Sequence, residues 1–141
     1  MPEWIVYSDG ASRGNPGPAG YGAVVENRTS GTKATVNGYL GIATNNVAEY
    51  RGLLAALDYA LAHGGGSVEA RADSELMVRQ LTGRYQVKNP TLQALHRQVL
   101  DRLARFERWT VRHVPREQNR EADRLANAAI DAAGSAPTGS R

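Results

Sequence analysis

Hydrophobic and polar positions change period several times along the chain. Residues 4–11, Trp-Ile-Val-Tyr-Ser-Asp-Gly-Ala, form an apolar run closed by a turn signal, the pattern of a strand. Residues 13–20 hold three glycines and two prolines and read as loop. A second strand is expected at about 21–26. After the turn formers of 27–31, residues 32–42 alternate loosely with β-branched side chains, although Gly38 and Gly41 blur where that third strand ends. Three consecutive antiparallel strands follow from this reading. The period then shifts to 3.6. Glu49, Leu53, Leu57 and Ala60 lie on one stripe of a helix spanning 46–63, which Gly64-Gly65-Gly66 stops. A short strand at 68–73 and a short helix at 74–81 come next. Residues 90–106 open on Pro90 and place Leu92, Leu95, Val99, Leu103 and Phe106 at helical spacing, with Arg97, Arg102 and Arg105 opposite, an amphipathic helix. A fifth strand at 109–114 and a last helix at 119–133 complete the pattern.

The fold class expected is α/β: a mixed five-stranded sheet, three antiparallel strands and then two parallel ones, with helices on its faces. The 141 residues, 41% hydrophobic and 22% charged, suit one domain, expected at 1–133. Residues 134–141 are small and lack an apolar anchor, so a flexible tail is expected there. No repeat is evident. No run approaches the roughly 20 apolar residues of a membrane span, and Met-Pro-Glu-Trp does not resemble a secretory signal, so a cytoplasmic location without membrane contact is expected. With no cysteine, disulfides, thiolate metal sites and cysteine nucleophiles are excluded, and with three histidines a metal would be held mainly by oxygen. The net charge is only +3, but fifteen of the seventeen basic residues are Arg, whose planar fork suits phosphate.

Four carboxylates carry the candidate chemistry, and each has an ordinary explanation. Asp9 precedes Gly10 in a turn-like dipeptide. Glu49 falls three residues after Asn46, as in a helix-capping arrangement. Asp73 stands where a strand gives way to a helix and would cap it, and Asp123 lies in a first helical turn, where the dipole favours negative charge. Their shared context argues otherwise. Glu49 shares its stripe with Leu53 and Leu57, and Asp123 is one turn from Ala126, so both should point inward without a Lys or Arg beside them. Buried carboxylates are costly unless paired or bound to metal. Strand ends and helix starts gather at one edge of such a sheet. Four acids meeting there would repel and raise one another's pKa, which a divalent cation relieves.

The motifs that hold these acids resemble those of a type 1 ribonuclease H. They are Tyr7-Ser-Asp-Gly-Ala-Ser-Arg-Gly-Asn-Pro-Gly-Pro18 with Gly20-Tyr-Gly-Ala23, Thr44-Asn-Asn-Val-Ala-Glu49, Asp73-Ser74, and His113 through Ala126. They follow in the family's order from residue 4 to about 131. The resemblance implies catalytic and metal-ligating acids at Asp9, Glu49, Asp73 and Asp123. It implies cleavage of the RNA strand of an RNA/DNA hybrid, giving 5′-phosphate and 3′-hydroxyl ends, with two Mg²⁺ about 4 Å apart, Asp9 bridging and Mn²⁺ able to substitute. It also implies that Ser12, Asn15, Asn45 and Asn46 read the minor groove and the 2′-hydroxyl.

Two departures define a variant of that family. Arg116, seven residues before Asp123, stands in place of a catalytic-loop histidine, with His113 the second candidate. The segment 82–91 lacks the lysine-rich protrusion of many members, leaving Arg79, Arg84 and Lys88 for non-specific phosphate contacts. Thr44 and Asn89 correspond to a DNA-phosphate pocket whose usual Arg is replaced by Ile42. The implied partner is a hybrid bound by a monomer with low processivity and no obligate protein partner. Competing readings are a broader ribonuclease that also cuts double-stranded RNA, a non-catalytic hybrid-binding module, and a structural domain whose acids are all caps.

Overall fold

The computed structural model describes residues 1–134; the expected tail from 135 onward lies outside them. The elements are β1 (Glu3–Ser12), β2 (Gly17–Asn27), β3 (Lys33–Ala43), α1 (Asn45–Ala62), β4 (Ser67–Ala72), α2 (Glu75–Leu81), α3 (Pro90–Ala104), β5 (Arg108–His113), a 3-10 turn (Arg116–Gln118) and α4 (Arg120–Gly134). The strands form one sheet in the order β3-β2-β1-β4-β5. β1 runs antiparallel to β2 and parallel to β4, β2 is antiparallel to β3, and β4 is parallel to β5. This is the mixed sheet expected from the pattern. No helix among the described residues is long and apolar enough to cross a membrane.

The two faces are filled differently. Trp4, Val6, Ala23 and Val25 pack under Leu53, Leu57, Val99 and Leu103, so α1 and α3 share the main core. On the opposite face α4 lies over β2 and buries Ala122, Ala126 and Ile130. Phe106 is buried, as its apolar spacing implies, but it lies beyond the end of α3 at Ala104 and outside the helix expected to reach it.

The largest departure from the sequence reading concerns residues 17–20. They are strand, not loop: Ser12 pairs with Ala19 and Pro18 with Ile42, while the Arg13 N–H donates to the Pro18 carbonyl at 2.9 Å. Glycine here answers a need for close approach rather than for a turn. A Cβ on Gly20 would lie 2.7 Å from the Ala126 carbonyl oxygen, and one on Gly22 would lie 2.5 Å from that of Ala122 and 2.6 Å from Ala126 N. Neither glycine has positive φ, so the restriction is purely steric. Gly22→Ala is therefore expected to push α4 off β2 and cost about 3 kcal/mol, read as a lower urea midpoint with unchanged slope.

Candidate active site

Register and close packing bring the acids together. Ser8 pairs with Ala72, the last residue of β4, so Asp73 emerges beside Asp9 where the parallel pairing of β1 with β4 stops, β1 itself running on to Ser12. Across the hairpin Asp9 pairs with Gly22, the glycine on which α4 rests, and Asp123 lies one residue past Ala122 in that contact. On the α1 side, a Cβ on Gly10 would lie 2.3 Å from the Ala48 carbonyl carbon and 2.4 Å from Glu49 N. A Cβ on Gly52 would lie 2.7 Å from the Asp9 carbonyl oxygen. The helix thus touches the strand backbone at the point where Glu49 must meet Asp9.

Carboxylate oxygens of Asp9, Glu49 and Asp73 all lie within 4.8 Å of one another. Asp123 stands outside that tight trio but close to Asp9, whose pKa its side chain raises. It is held within α4 by Asn127, whose Nδ2 donates to Asp123 Oδ1 at 3.3 Å and to its carbonyl at 3.1 Å.

The electrostatics are those of an uncompensated cluster. Burial, then the charge of Asp73 and the proximity of Asp123, push the Asp9 carboxyl up to about 8, although the Gly10 N–H donates to its Oδ1 at 2.9 Å and pulls the other way. Glu49 is raised well above the usual range by burial first, then by Asp9 and Asp73. None of the ion pairs among the described residues involves these four acids. Among the described residues, the buried side-chain polar atoms without a partner are Glu49 Oε1, Ser8 Oγ and Asn119 Oδ1, and they belong to, adjoin or flank this cluster. Oxygen donors alone, an orphaned carboxylate oxygen and no organic counter-charge fit a hard divalent cation.

Two of the ordinary explanations fail. The cap of α1 is Thr44, whose Oγ1 accepts from Val47 N at 3.2 Å, not Asn46, so Glu49 closes no capping pair with it. The cap of α2 is Ser74, whose Oγ accepts from Met77 N at 3.2 Å, which leaves Asp73 free of that duty. Asp123 does lie in the first turn of α4.

The other candidates are scattered around this edge with local work of their own. Ser12 Oγ donates to the Ala43 carbonyl at 2.6 Å. Asn15 Oδ1 accepts from Asn45 N at 2.9 Å, tying the β1–β2 loop to the start of α1 and leaving both amide NH₂ groups for a ligand. Asn89 caps α3, its Oδ1 accepting from Leu92 N at 3.1 Å, and Ile42 is 69% exposed. Arg116 is exposed on the 3-10 turn and makes no ion pair among the described residues. His113 is exposed at the end of β5 and acts electrostatically on Glu75. Arg79 is engaged by Glu75 at 2.6 Å. Sequence reasoning missed the placing role of Gly10, Gly22 and Gly52, and Asn119, present in a quoted motif, was given none.

Residues 7–129 match a family model described as reverse transcriptase-like. The chain is 49% identical over 130 residues to the bifunctional protein Rv2228c of Mycobacterium tuberculosis, covering 92% of this chain and 36% of that protein. The solved N-terminal RNase H domain of that protein superposes with a TM-score of 0.90 at 47% identity, covering 95% of this chain and 97% of that one. Ribonuclease HI of Halobacterium salinarum is 45% identical over 125 residues, 89% of this chain and 63% of that protein. The structure of LC11-RNase H1 in complex with RNA/DNA hybrid gives a TM-score of 0.87 at 43% identity, covering 94% of this chain and 99% of that one. The chain spans little more than a third of the first of these curated relatives.

Proposed function

Because the chain belongs to the ribonuclease H family, we propose that it is an endonuclease hydrolysing the RNA strand of RNA/DNA hybrids, leaving 5′-phosphate and 3′-hydroxyl ends. The observation that carries this reading is the convergence of Asp9, Glu49 and Asp73 within shared-ion reach, with Asp123 beside Asp9 and no basic side chain among them. Asp9, Glu49, Asp73 and Asp123 would hold two Mg²⁺, with Asp9 bridging and Mn²⁺ able to replace Mg²⁺. Such ions, when bound, supply an acidified attacking water and a Lewis acid for the leaving 3′-oxygen.

The protein's own groups do the rest. Burial strips water from the Asp9 and Glu49 carboxyls and pushes both pKa values up, which makes their oxygens strong, poorly solvated donors to a cation once ionised. The NH₂ of Asn15, whose Oδ1 is taken by Asn45 N, and the side-chain amide of Asn45, with Ser12 and Asn46 nearby in sequence, can bond minor-groove edges and a 2′-hydroxyl, the group that separates RNA from DNA. Arg116, unpaired on an exposed turn just before α4, is free to grip a phosphate near the cut. Residues 82–89, between α2 and α3, contain no helix and only Arg84 and Lys88 as bases, which supports the variant without a basic protrusion. Thr44 and Asn89 would complete a DNA-phosphate contact. A single domain over 1–133, acting as a cytoplasmic monomer, belongs to the same proposal.

The test is cleavage of an end-labelled hybrid with and without Mg²⁺, beside an RNA duplex of the same sequence. The expected result is Mg²⁺-dependent nicking of the RNA strand of the hybrid. Tight hybrid binding without nicking would mark a binding module instead, and comparable cutting of the duplex would mark a broader ribonuclease.

A further inference from the structure

Asn119 breaks a local rule. Its carbonyl accepts the first helical hydrogen bond of α4, from Asp123 N at 3.1 Å, so it occupies the position where an Asn side chain ordinarily caps the helix through its oxygen. Here the side chain does not cap. Its Nδ2 donates instead to the backbone carbonyl of Ser8 in β1, 111 residues away, at 2.8 Å. Its Oδ1 accepts nothing, although the residue is only 1% exposed. Forgoing a cap is destabilising, and so is a buried acceptor without a partner. A side chain retained at that cost is expected where function, not local stability, sets the arrangement.

What the bond joins is specific. Ser8 precedes Asp9, and Asn119 precedes Asp123 by one helical turn, so a single amide fixes the backbone carrying one acid against the helix start carrying another. Gly22, paired with Asp9 and pressed against Ala122 and Ala126, restrains the same junction by steric contact, whereas the Arg13 bonds to Asn127 and Asp131 lie further along α4. The side-chain contact of Asp123 with the sheet is with Asp9 itself, an acid-to-acid approach that repels once both are charged and so cannot by itself fix the spacing. We infer that Asn119 is a positioning residue for the metal site: by clamping the N-terminus of α4 to the Ser8 carbonyl it sets the separation of Asp123 from Asp9, and hence the affinity for a divalent cation. This rests on the metal-dependent reading above and assigns a residue that touches neither cation nor nucleic acid.

The test measures Mn²⁺ binding to the whole chain by calorimetry without nucleic acid, so it decides the inference even if hybrids are not cleaved. Asn119→Leu keeps volume and removes the donor together with the orphaned acceptor. The expected result is a Mn²⁺ affinity weaker by about 10-fold or more, with a metal-free melting temperature near that of the parent. Where cleavage is measurable, kcat should fall at saturating hybrid while KM stays put. Asn119→Ala, which also removes the donor and adds no charge, should lose affinity likewise and serves if the Leu variant does not fold. A merely structural role predicts independent effects, so the Asp123→Asn and Asn119→Leu double variant decides the route. If Asn119 acts through Asp123, the pair binds Mn²⁺ no worse than Asp123→Asn alone. Unchanged affinity in both Asn119 variants, or full additivity in the double variant, overturns the inference.

Discussion

Asp9→Asn is expected to abolish cleavage and, in the same protein, to raise the melting temperature measured in EDTA. Both effects come from one carboxylate. Asp9 is the acid that all three others approach, and its conversion to an amide removes the donor proposed to bridge the ions; a loss of about 4 kcal/mol of transition-state stabilisation is a ~10³-fold loss of rate. Without metal the same carboxylate is a liability. Burial and its acidic neighbours hold it protonated up to about pH 8, so at neutral pH the folded chain must keep a proton that the unfolded chain gives up near pH 3.8. An amide has no proton to keep. The gain should be about 2 kcal/mol or more at neutral pH, roughly 6 °C for a chain of this size, and should shrink in acid, where the parent is protonated at little cost. Calorimetric melting in EDTA at two pH values, alongside hybrid cleavage, checks both halves. A variant that melts below the parent at neutral pH would mean that the acids are not the source of strain.

Much of this site is legible in the sequence because two of its acids sit at positions where chain direction changes. Asp73 between strand and helix and Asp123 in a first helical turn follow from the element order, and parallel pairing of β1 with β4 then sets Asp73 beside Asp9, although β1 runs on past Asp9 to Ser12 instead of ending there. What was not legible is how closely the layers approach. Glycines at 17 and 20 look like chain breakers, and only the contact of β2 with the Ala126 carbonyl shows Gly20 to be a packing residue. Capping is equally ambiguous from sequence. Thr44, Asn45 and Asn46 are all competent caps, and the choice of Thr44 depends on where α1 meets β1 at Gly10. For Asn119 the local rule points the wrong way, since a helix-start Asn is expected to bond its own helix and this one bonds Ser8. A side chain used across the fold leaves no periodicity to read.

With metal removed, the parent protein should lose stability as pH rises from about 5 to about 8.5, and the stabilisation by millimolar Mg²⁺ should grow over the same range. The sign follows from which state holds more protons. Between pH 3.8 and about 8 the folded Asp9 is protonated and the unfolded one is not, so the folded state binds the extra proton and stability falls with pH. Glu49, raised for the same reasons, adds in the same direction. Glu69 opposes them only in acid: its ion pairs with Arg71 and Arg112 hold its pKa below the usual value, so their contribution is present above that range and lost as pH falls into it. Cation binding must displace the protons held by the cluster, so affinity rises with pH until Asp9 ionises unaided, and each binding event releases protons to the buffer. Melting curves with EDTA and with Mg²⁺ across this range test the stability trend. Titrations in buffers of different ionisation enthalpy count the protons. A metal-free melting temperature that is flat or rising from neutral to alkaline pH would show that the carboxyls are not held protonated in the fold, and the case for a cation filling that vacancy of charge would fall with it.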